Sequence, residues 1–168
     1  MLGIPEHFAR KSLFRQMSFL IIFFSTQTFD EYMDALRKLS VISDLEAWTP
    51  QLRSKNSIRK PIKHLFYDPS IAAAALDISP EYFLEDFNLF GHVFESLVYR
   101  DLLVYSQALG GTVSHYHDAN NLEVDFVLHL EDGRYALIEV KLGGKIIDEG
   151  IKNLNKVKDL IKLNNLDK

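Results

Sequence analysis

Cysteine is absent from the chain. That excludes disulfides and thiolate metal sites, and it fits a reducing compartment, so a cytoplasmic protein is expected. No hydrophobic run approaches the roughly 20 residues that a membrane-spanning helix needs. The nearest candidate, residues 17–24, follows Arg10, Lys11 and Arg15 in the manner of a signal-peptide core, but no small-x-small cleavage site comes after Phe24. It reads as a buried helix or strand, and no membrane partner is expected. No strong excess of one charge is present either. With a net charge of −4, a nucleic-acid partner would need a local basic patch. There is no Gly-x4-Gly-Lys-Ser/Thr motif, and Leu142-Gly143-Gly144-Lys145 is not one, so no ATP site of that type is expected. Internal repeats and low-complexity tracts are missing too.

What is there is an ordinary globular composition: 47% apolar and 25% charged over 168 residues, enough for one domain or two small ones. Residues 1–27 give no boundary signals and read as an irregular or helical lead-in. Thr28 followed by Glu31 is a capping box, and Phe29, Tyr32, Met33, Leu36 and Leu39 make a helical apolar stripe ending near Ser40. Residues 41–48 read as a strand broken at Thr49-Pro50. A basic loop over 51–63 holds Arg53, Lys55, Arg59, Lys60 and Lys63 and no acidic residue. Residues 62–67 read as a second strand, stopped by Asp68-Pro69. Helix, strand, basic loop and strand outline a winged-helix-like element over 28–80. Asp68 or Ser70 caps a short helix over 71–76, and 77–80 is a linker.

A long helix is expected over 89–109, with Phe94, Leu97, Val98, Leu102, Tyr105, Ala108 and Leu109 as its apolar arc and Gly110-Gly111 as its stop. Glu95 lies on the flank of that arc, near the sheet edge. A strand follows over 112–117, then a turn over 118–121. Next come two apolar runs, 124–130 and 135–142, around Glu131-Asp132-Gly133. An Asp-Gly pair between alternating runs is a strong hairpin signal. The last helix is expected over 146–163, with Ile147, Ile151, Leu154, Val157 or Leu160, and Ile161 inward, and Lys152, Lys156, Lys158 and Lys162 outward. The second half thus reads α-β-β-β-α.

The hairpin carries three charges where strands prefer Val or Ile: Asp125, Glu139 and Lys141. Alternation puts Glu139 and Lys141 on one face, and Asp125 on the neighbouring strand can share it. Such a group is costly to bury without a partner. Two carboxylates 4 Å apart repel by about 1–4 kcal/mol in watery to intermediate dielectric. A hard cation such as Mg²⁺ relieves that and prefers oxygen ligands. It would polarise a phosphate and acidify a water, while a lysine orients the water or neutralises developing charge.

An acidic residue on the helix, Asp on a strand and Glu-x-Lys on the next resembles the PD-(D/E)xK nuclease superfamily. The resemblance extends to Ile42-Ser43-Asp44-Leu45-Glu46-Ala47-Trp48, Tyr67-Asp68-Pro69-Ser70, Phe94-Glu95-Ser96-Leu97-Val98, Glu123-Val124-Asp125-Phe126 and Ile138-Glu139-Val140-Lys141-Leu142-Gly143-Gly144. From Thr28 onward the chain is similar to a domain of unknown function found C-terminal to AAA-type ATPase modules in bacteria and archaea. That resemblance implies an α/β fold: a restriction-endonuclease-like core over 85–168, preceded by the winged-helix-like element. It maps the family's acidic positions to Glu95, Asp125 and Glu139 as metal ligands for Mg²⁺ or Mn²⁺, and its lysine to Lys141. It also implies a further strand after the last helix, so the core reads as three-stranded and the chain as truncated, without its ATPase.

The expected function is therefore a Mg²⁺-dependent nuclease-type site acting on DNA. A non-catalytic DNA- or protein-binding module of an AAA-type ATPase, or a remnant of one, is the alternative. The basic loop from Arg53 to Lys63 either touches phosphates or is merely solvated. His115, His117 and His129 are expected as surface histidines on an exposed sheet face, with metal binding the lesser option. Trp48 is expected as a packing anchor between lobes, with base stacking the lesser option.

Overall fold

The structure, a computed structural model, describes residues 25–48, 62–118 and 121–166. The apolar run 17–24, most of the lead-in, and Arg53, Lys55, Arg59 and Lys60 lie outside the described residues. The chain divides into two compact units with the boundary between Ser40 and Val41. The expected division between residues 80 and 85 therefore falls inside the second unit.

In the first unit, α1 spans Thr26–Lys38. It starts earlier than the Thr28–Glu31 signal indicates, because Ser25 is itself a good cap. The Ser25 hydroxyl accepts the Thr28 N–H at 3.1 Å, and Glu31 takes a hydrogen bond from Gln27 instead of closing a box. The helix ends before Ser40, whose φ is +54°.

The second unit is mixed α/β with two small antiparallel sheets. Strands β1 (Ile42–Leu45) and β2 (Lys63–Phe66) pair with Ile42 opposite Phe66 and Leu45 opposite Lys63. β1 stops short of the expected Trp48 because the chain changes partner. The His115 N–H bonds to the Glu46 carbonyl at 2.9 Å, and the Trp48 N–H bonds to the His115 carbonyl at 2.6 Å. Helix α2 (Pro69–Leu76) begins at Pro69, two residues before the expected start. Pro is tolerated at the first helical position, and Asp68 caps the helix through the Ser70 N–H. A short α3 (Tyr82–Glu85) leads to α4 (Phe87–Ala108), capped by Asp86, which accepts from the Asn88 and Leu89 N–H groups.

Strands β3 (Gly111–His117), β4 (Glu123–Leu130) and β5 (Tyr135–Ile138) form the second sheet in the order β3-β4-β5. The expected Asp-Gly turn joins β4 to β5, with Gly133 at φ +86°. A 3₁₀ turn (Gly144–Ile146) precedes α5 (Ile147–Leu166). Among the described residues no helix is long and apolar enough to cross a membrane.

Two apolar clusters lie on the sheet. Tyr116, Val124 and Val127 pack with Val157 and Ile161 of α5 on one side. Phe126 packs with Tyr99 of α4, Leu45 of β1 and Leu65 of β2 on the other. On α5 the open choice resolves to Val157, which is buried, whereas Leu160, Ile147 and Ile151 are exposed. The face of α4 also differs from the expected arc. Tyr105 and Leu109 are 64% and 63% exposed, and the buried positions are Ser96, Tyr99 and Ser106. The Ser96 hydroxyl accepts the Phe66 N–H at 3.3 Å, and the Tyr99 hydroxyl bonds with that of Ser43 at 2.7 Å. This helix thus docks on β1 and β2 partly through buried polar pairs, which an apolar stripe cannot reveal. His115 likewise departs from the expected exposed face: it is buried, its backbone tied to the β1 extension.

Candidate functional site

Between the pairs Ser114 to Val127 and Tyr116 to Val124, β4 spends two residues, Asp125 and Phe126, against the single His115 of β3. This is a β-bulge, the kind of local kink that re-aims a side chain. It lets Phe126 fill the α4-side cluster while its neighbour Asp125 reaches out at the sheet end. Asp125 then replaces a rung of the ladder. Its Oδ2 accepts the Val140 N–H at 2.8 Å, which explains why β5 pairs only to Ile138 and not to the expected Leu142. Glu139 and Lys141 lie just beyond the ladder, still on a common side, with Val140 turned toward the α4-side cluster.

The four expected site residues come together, in two halves joined by Asp125. On one side the Lys141 ammonium lies 2.6 Å from Glu139 Oε1 and 3.7 Å from Asp125 Oδ2. Lys141, expected to serve water or phosphate, is paired with both carboxylates. The Glu139 side chain is only 7% exposed, and its Oε2 lies 3.4 Å from the Asp125 N–H. Helix α5 backs this half at Gly150, where a Cβ would stand 3.1 Å from Glu139 Cγ and 3.6 Å from Lys141 Cγ. On the other side Glu95, from α4, is ion-paired with Lys63, whose ammonium is also 3.5 Å from Asp125 Oδ1. Lys63 was read as part of the basic loop. It is the first residue of β2, 5.8 Å above the Phe126 ring, and it belongs to the cluster.

Three carboxylates against two ammonium groups leave the cluster one negative charge in excess. Burial pushes the Glu95 carboxyl above its ordinary value; Lys63 pulls it back and the Asp125 carboxylate adds to the rise. Burial likewise raises Glu139 against the opposing pull of Lys141. Lys141 is pulled down by burial, but Glu139 and Asp125 outweigh that and hold it above its ordinary value, firmly protonated.

Glu95, Asp125 and Lys141 open onto a cleft of about 290 Å³ that is also lined by Phe87, Asn88 and His92. Asn88, His92 and Glu95 follow one another at four and three residues along α4, so they share a face. That spacing is the signal that could have drawn attention to Asn88 and His92. Lys63 had no comparable signal, since its place depends on how β2 meets α4.

All three expected metal ligands carry hard oxygen donors. Glu95 and Asp125 gather about one cationic nitrogen, and their carboxylate oxygens are the donor type that hard divalent cations prefer. Glu139 faces Lys141 instead, and among the described residues no group of three or more acidic or histidine side chains is spaced to clasp an ion. The three histidines form no such group either.

Residues 90–167 match a family described as "Domain of unknown function (DUF4143)", and residues 7–82 match a second, described as "Domain of unknown function (DUF8612)". Of the resemblance expected from Thr28 onward, the first of these matches covers residues 90–167. Glu95, Asp125, Glu139 and Lys141 lie in the segment 90–167 and Lys63 in the segment 7–82, so the cluster draws on both. No curated protein and no solved structure matches the chain.

Proposed function

We propose that the cluster is a phosphodiester-hydrolysing site of the PD-(D/E)xK type, dependent on Mg²⁺ or Mn²⁺ and acting on DNA. Helix α4, strands β3 to β5 and helix α5 then correspond to a restriction-endonuclease-like core. The observation that carries this reading is the convergence of Glu95, Asp125 and Lys141 from a helix, a bulge and a strand end onto one open cleft, with Glu139 buried behind them against Lys141. Buried charge is expensive to maintain, and its concentration in a cleft is a common mark of function. The metal's contribution would be to neutralise phosphate charge and acidify a water. Asp125 and Glu95 would hold it, with Glu139 completing the acidic set. Asp125 is fixed for that task by the Val140 N–H. Lys141 is held protonated, so it acts as a positive donor that stabilises charge on the phosphate oxygens and not as a base. Arg53, Lys55, Arg59 and Lys60 lead in sequence to Lys63, which is paired with Glu95 and Asp125, and would contact the DNA backbone.

The experiment is cleavage of plasmid and single-stranded DNA with Mg²⁺ or Mn²⁺. Asp125→Ala is expected to abolish it, at least a hundredfold. Cleavage that persists in Asp125→Ala sinks the assignment. A second reading, a non-catalytic module that pairs with an AAA-type ATPase, draws on one observation: the charged side chains are ion-paired with one another. Calorimetry that detects no Mn²⁺ binding would favour it.

A further inference from the structure

We infer that Lys63 is a built-in counter-ion that fills the cation position between Glu95 and Asp125, so that the site takes up a divalent metal only as Lys63 withdraws. This rests on the metal-site reading above and adds a residue of this chain to it.

The two ammonium groups of the cluster have different duties. Lys141 is committed to Glu139 and reaches Asp125 only at 3.7 Å. Without Lys63, Glu95 would face Asp125 with no cation of its own. Lys63 pairs with Glu95 and lies 3.5 Å from the outer oxygen of Asp125, the one not engaged by Val140. That is the place a divalent ion shared by these two carboxylates needs. The arrangement is set by the backbone. Lys63 begins β2, which is fastened to α4 by the Phe66 N–H to Ser96 bond, one residue from Glu95. β1, the partner strand of β2, is fastened to the same helix by the Ser43 to Tyr99 bond.

The ammonium is nonetheless able to leave. The Lys63 side chain is 31% exposed, and a lysine stem can keep its apolar contacts while its head moves into water. A site whose competent state must first lose an internal cation binds metal more weakly by the fraction of time that state is populated. Removing the charge should therefore strengthen metal binding, the opposite of what removing a structural ion pair would do.

The test is titration of Mn²⁺ alone into the full chain by calorimetry at fixed pH and salt. Lys63→Met keeps the stem over Phe126 and removes the charge. Its Mn²⁺ affinity is expected to be at least tenfold tighter than that of the unsubstituted chain, and Asp125→Asn should remove binding in both backgrounds. Equal or weaker affinity in Lys63→Met overturns the inference and leaves the metal-site reading standing. If neither protein takes up Mn²⁺, both fall. A second measurement needs no substitution: Mn²⁺ should increase acylation of Lys63 in the unsubstituted chain several-fold by mass spectrometry. Unchanged acylation at saturating Mn²⁺ overturns the inference even if Lys63→Met fails to fold.

Discussion

Glu95 holds its charge where burial resists it, and that cost is measurable. Its carboxyl is raised above the ordinary 4.5 by burial, in spite of Lys63. The folded chain therefore grips this proton more tightly than the unfolded one, and unfolding releases it between pH 4.5 and the raised value. Stability attributable to Glu95 is consequently lost as pH rises through that window and does not return above it. Glu95→Gln keeps the shape without the charge. It is expected to melt no lower than the unsubstituted chain at pH 7.5, with the difference in its favour growing from pH 4.5 upward, while Mn²⁺ affinity falls. A variant that melts lower at pH 7.5 would mean that Glu95 is a structural ion-pair partner and not a group kept at a cost. Such residues were legible in part. Asp125, Glu139 and Lys141 stand out because charges in a hairpin contradict the pattern of their strands, and the Asp-Gly turn says which strands meet. Lys63 was hidden in a run of cations, since its role depends on the packing of β2 against α4, which no local spacing encodes.

Helix α5 meets the Glu-x-Lys segment at a glycine, and that contact ties an element to the chemistry. A methyl group at Gly150 would stand 3.1 Å from Glu139 Cγ, tighter than ordinary contact, and Glu139 is held between Lys141 and the Asp125 N–H. Gly150→Ala gains about 1 kcal/mol of helix propensity but must shift that side chain. The expected outcome is a melting temperature at or near that of the unsubstituted chain together with Mn²⁺-dependent cleavage reduced about tenfold, since small misplacements of a site are costly. A variant as active as the parent would show that Glu139 has room to move. The order α-β-β-β-α was readable from periodicity and turns because the two faces of the sheet are apolar on Phe126 and Val127. The ends of β1 and β5 were not. Each stops where a backbone N–H finds an unexpected acceptor, the His115 carbonyl for Trp48 and the Asp125 carboxylate for Val140. The buried face of α4 was legible only in part: Val98 and Leu102 of the expected arc pack on the core, but the buried Ser96 and Ser106 are polar and lie outside any apolar stripe.

The two matched segments, 7–82 and 90–167, suggest a chain assembled from two parts, yet the second compact unit starts at Val41 and runs across the gap between them. Packing explains why. Leu45 and Leu65, both nearly fully buried, come from the first segment and share a cluster with Tyr99 and Phe126 from the second. Full burial of a leucine contributes about 1.5–3 kcal/mol, so these two supply roughly 3–6 kcal/mol by that measure, against a total of about 5–15 for an ordinary domain. Lys63 of the first segment also balances Glu95 of the second. A fragment of residues 41–168 is therefore expected to fold, melt cooperatively and bind Mn²⁺. A fragment of residues 81–168 would uncover Tyr99 and Phe126, leave Glu95 without its cation, and is expected to aggregate or melt without cooperativity in circular dichroism and light scattering. Should 81–168 melt as sharply as 41–168, the first segment would be an attachment to an independent core. The requirement for Lys63 in controlling the site would then need to be sought in the charge cluster alone.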